Sequence, residues 1–102
     1  MESLHRAADR WDDAADVLGT TARRITQADP PPAAFGVDAP GRLAEIGYAL
    51  REQWLSATGA RQREAEDLAA RLGDVAAALR VAADGYADAD EAAARRSAVE
   101  AR

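Results

Sequence analysis

Apolar residues in the first quarter of the chain recur at alternating steps of three and four: Leu4, Ala8, Trp11, Ala15, Leu18, Ala22 and Ile25. Polar and charged residues fill most positions between them. This spacing draws one narrow seam along an α-helix. A second seam opens with Leu43, Ile46, Leu50 and Trp54, and is cleanest through Ala65, Leu68, Leu72, Val75, Leu79, Ala82 and Tyr86. Between the two lies Asp29-Pro30-Pro31-Pro32-Ala33-Ala34-Phe35-Gly36. The pattern predicts an all-α fold: an antiparallel helical hairpin with a long second helix, completing a helical bundle with a partner.

Boundaries follow from local chemistry. Ser3 can cap the first helix, predicted over about residues 3–28. Asp29 precedes Pro30, and a residue before proline avoids the helical region. Three successive prolines favour an extended path, so residues from about 29 to 39 form the connection. Phe35 and Gly36 mark its turn, and Asp38 with Pro40 resembles a capped helix start. The second helix is predicted over about residues 40–95, with a frayed tail to residue 102. Gly59 follows the weak stretch Ser56-Ala57-Thr58 and is the expected place for a break. A tight turn would pair the first helix with about Leu43 to Leu68, leaving the seam from Leu68 to Tyr86 without a partner in the same chain. Either the second helix folds back near Gly59, or another chain covers that seam. The regular phase of the seam favours another chain.

Composition narrows the function. The 102 residues suit a single domain, and the net charge of −5 argues against broad nucleic-acid binding. Alanine dominates the apolar residues. It favours helix but buries little surface, so the chain is expected to be highly helical and marginal alone. Cysteine is absent, which excludes disulfides and thiolate metal sites. The opening Met1-Glu2-Ser3-Leu4-His5-Arg6 lacks the apolar core of a secretory signal. No apolar run approaches the length needed to span a bilayer.

No convergent set of nucleophile, base or metal ligands is visible, so neither enzyme activity, cofactor nor small-molecule substrate is expected. His5 is the single histidine. Asp84, Asp88, Asp90 and Glu91 lack the offsets of a calcium loop and read as a solvated helix end. Trp54, Leu68, Leu72, Val75, Leu79 and Ala82 are the expected partner contacts. Tyr86 and Asp90 form a Tyr-x-x-x-Asp pair, placed on one helix face by their spacing. Tyr48 with Glu52 is a looser match near the start of the same helix.

An Ala-rich helical hairpin with no signal peptide, a Pro-rich turn ending in Phe35-Gly36, and Tyr86/Asp90 near its end resembles the type VII secretion proteins of the WXG-type superfamily. The turn makes it most similar to the EspC-like branch of actinobacteria. The resemblance covers nearly the whole chain, in layout more than in residue identity. The superfamily's Trp-x-Gly turn has no counterpart, since Phe35-Gly36 stands in its place and Trp54 lies inside the second helix. The resemblance implies pairing with another helical-hairpin protein, or with the helical N-terminal domain of a larger secreted protein. It also implies export from the cytoplasm, to the medium or cell surface, by a membrane secretion ATPase that reads Tyr86 and Asp90. The rival expectation is a cytosolic coiled-coil adaptor or structural protein with no export role. A surface-active membrane helix is disfavoured by the acidic charge and narrow apolar stripe.

Overall fold

The computed structural model describes residues 2–101. It is all-helical among them, with two long helices in the manner of a helical hairpin. Helix α1 spans Glu2–Gln27, a 3-10 turn spans Pro32–Phe35, and helix α2 spans Arg42–Glu100.

Helix α1 stops where Pro30 requires. The Ala28 amide still reaches the Arg24 carbonyl at 3.1 Å, and the Asp29 amide closes a tighter turn onto Thr26 at 3.3 Å. Gly36 then ends the 3-10 turn in the left-handed region, at φ 82°, and donates to the Ala33 carbonyl. Gly41, at φ 64°, bends the chain again immediately before α2. Helix α2 therefore starts at Arg42, after the Asp38–Pro40 segment that resembled its first turn. It is unbroken for 59 residues, so Gly59 is an ordinary helical position. The tail expected to fray is helical through Glu100.

Contacts divide the chain into two units, each containing part of both helices. The first joins α1 through Asp16 to α2 from Ala69 onward. Here Arg80 of α2 donates to Asp9 at 2.9 Å and pairs with Asp12, while His5 Nε2 lies 3.7 Å from Asp84. Ascending α1 numbers meet descending α2 numbers, so the helices run antiparallel. This register overturns the expectation that the seam from Leu68 to Tyr86 has no partner in its own chain. From Ala69 to Asp84, α2 lies against the first half of α1.

The second unit is Val17–Leu68. The connection is a strap laid against the first turns of α2. Trp54 Nε1 donates to Asp29 Oδ1 at 3.1 Å, which fixes the end of α1 beside Trp54. The Phe35 ring sits 6.1 Å from the Trp54 ring, tilted by 59°. Farther down, the strap's backbone at Phe35–Val37 rests on Gly47. A Cβ there would overlap the Phe35 carbonyl oxygen and lie 2.9 Å from the Gly36 carbonyl carbon. The first three turns of α2 are thus taken up by the strap.

The core is thin. Four alanines, Ala8, Ala22, Ala76 and Ala83, are fully buried, and among the described residues no larger side chain is. On α1 the expected seam holds: Leu4, Ala15, Leu18 and Ile25 are half-buried around Ala8 and Ala22. On α2 a shielded line runs through Gln62, Ala65, Ala69, Leu72, Ala76, Leu79 and Ala83. These share only Ala65, Leu72 and Leu79 with the expected seam. The apolar surface of α2 is wider than one seam, and α1 takes the alanine-rich half of it.

Candidate functional site

The other half of that surface faces solvent. In the first unit, Val75 keeps 39 % and Tyr86 57 % of its accessible area, and Ala82 is also exposed. Leu72 and Leu79 are half-buried and border the contact with α1. Trp11, a member of the expected α1 seam, lies at its edge with 40 % of its area exposed. Arg10, Trp11, Ala14 and Leu72 line an open, largely apolar groove.

The two flanks of this antiparallel pair differ in chemistry. Trp11 and Asp12 are successive residues, so they straddle the line of Ala8 and Ala15. Asp12 and Asp9 turn to one flank and engage Arg80, and His5 with Asp84 lies on that flank too. Hydrogen bonds that Arg80 donates to Asp9 and then Asp12 raise its pKa above the ordinary arginine value. Trp11 turns to the other flank, where Leu72, Val75 and Leu79 continue the apolar strip. Arg71 borders that strip, one turn from Val75 and Leu68. Among the described residues neither Arg10 nor Arg71 makes an ion pair.

Tyr86 and Asp90 are both exposed on α2, one helical turn apart. Tyr86 also borders a shallow hollow with Ala82, Gly85 and Ala89. His5, in the first turn of α1, lies opposite Asp84, so Tyr86 sits near the end of the stretch of α2 that α1 reaches.

In the second unit, Phe35 and Gly36 belong to the strap, the ring half-buried against Trp54 and the glycine capping the 3-10 turn. Trp54, expected to contact a partner, gives its indole N–H to Asp29 and one edge to Phe35, with 43 % of its area exposed. Leu43, Ile46 and Leu50 keep 63 %, 55 % and 50 % of their areas in solvent, and Leu68 keeps 47 %.

Gly47 was invisible as a contact in the sequence, where it reads only as a cost to helix stability. A glycine flanked by apolar positions within a helix is the one signal that something packs close there. Arg80 was likewise hidden, as one of many arginines on a charged helix.

No group of three or more His, Asp or Glu side chains suited to a metal ion occurs among the described residues. No helix among them is long and apolar enough to cross a membrane. No protein-family model matches this chain, and no curated protein or solved structure matches it.

Proposed function

We propose that this protein works by pairing with another helical protein, as a type VII secretion substrate or escort. The observation that carries the reading is the exposed apolar flank of the first unit, from Trp11 and Leu72 through Val75 and Ala82 to Tyr86. Exposed large apolar side chains in a row mark an interaction surface. The partner is another helical hairpin or the helical N-terminal domain of a larger exported protein, and together they complete a bundle. Leu68, Leu72, Val75, Leu79 and Ala82 supply contacts from this side, and Trp54 adds its exposed edge.

Tyr86 and Asp90 form the export signal in this reading. Both are exposed on α2, which leaves them accessible to a secretion ATPase. The escort role is preferred to a free effector, because the chemistry on offer is apolar contact and not catalysis.

The test is export from the native host. Tagged wild type and Tyr86→Ala would be followed in cells and in culture filtrate, with the secretion system and partner expressed. Wild type in the filtrate with Tyr86→Ala stable but retained is the expected result. Wild type confined to the cell would overturn the export reading and leave a cytosolic adaptor.

A further inference from the structure

We draw no further inference here: the strongest candidate, the exposed apolar flank of the first unit from Trp11 and Leu72 through Val75 to Tyr86, belongs to the surface already described, and with acids beside its arginines nothing in the structure shows what covers it.

Discussion

Gly47 is the residue on which the strap rests. Glycine inside a helix gives up roughly 1 kcal/mol relative to alanine, so an isolated α2 would gain from Gly47→Ala. In the folded chain the added methyl meets backbone atoms of Phe35, Gly36 and Val37, which cannot swing aside as a side chain can. Overpacking of this kind costs about 1–3 kcal/mol, and here that steric cost outweighs the gain in helix propensity. Gly47→Ala is therefore expected to lower the thermal midpoint by several degrees, on the order of 4–8 °C per kcal/mol lost. Gly73 is the matched control, because a Cβ there meets nothing within 4 Å. Gly73→Ala should raise the midpoint by a similar order. Circular dichroism melts of the two variants check this directly. Equal gains from both would mean that the strap does not rest on Gly47. At the same scale, Asp29→Ala removes the acceptor for the Trp54 indole and should red-shift Trp54 emission in a Trp11→Phe background.

At the scale of the elements, Arg80 joins α1 to α2 across the first unit. Its guanidinium bridges two carboxylates one turn apart on α1, which fixes axial position better than alanine packing can. Arg80→Glu would put three carboxylates together. It should lower the midpoint more than Arg80→Ala does, with the gap shrinking as salt is added. Recovery on adding Asp9→Arg to Arg80→Glu would identify the pair as the source. Equal midpoints for both Arg80 variants at low salt would remove its role in register. Asp9 and then Asp12 raise the Arg80 pKa, and the sign follows from linkage. A raised folded-state pKa contributes stability below the unfolded value and loses it as pH climbs through the folded one. Both values are strongly alkaline, so titration of Arg80 itself leaves stability flat across neutral pH.

The elements themselves were legible in the chain. Pro30 announced the end of α1, and the three-four spacing of Leu4 to Ile25 located its buried face. Register was not legible, because heptad phase repeats every seven residues and does not say which repeat meets which. Arg80 over Asp9 and Asp12, the deciding contact, and Gly47 under the strap are long-range pairings of common residue types. The face of α2 was half legible for the same reason. Alanine and leucine alternate so that two overlapping stripes both satisfy the spacing. Ala69, Ala76 and Ala83 won the contact with α1 because small side chains admit the closest approach, leaving Val75, Ala82 and Tyr86 outside.

For the whole molecule, exposed area translates into thermodynamics. An unfolded chain of this mass exposes about 15,700 Å², so a folded area of 7611 Å² means that folding buries only about half. A compact domain of this size buries nearer two thirds. Both the denaturant slope and the heat-capacity change of unfolding scale with newly exposed surface. The isolated protein should therefore combine high helicity with a shallow urea transition and a heat-capacity increment below the ~1.2–1.5 kcal/mol/K of a 100-residue domain. The fully buried side chains are alanines, which contribute little apolar area each, so the midpoint should also be low. A helical partner that binds only the folded form raises stability by mass action, about 2.7 kcal/mol at a hundredfold excess over its dissociation constant. In the presence of a helical partner, the urea midpoint should thus move up and the slope steepen, because the complex hides more surface than the chain does alone. A steep, high-midpoint transition for the isolated monomer, unmoved by any helical partner, would show that the thin alanine core suffices. The exposed flank would then have no stabilising task left to perform.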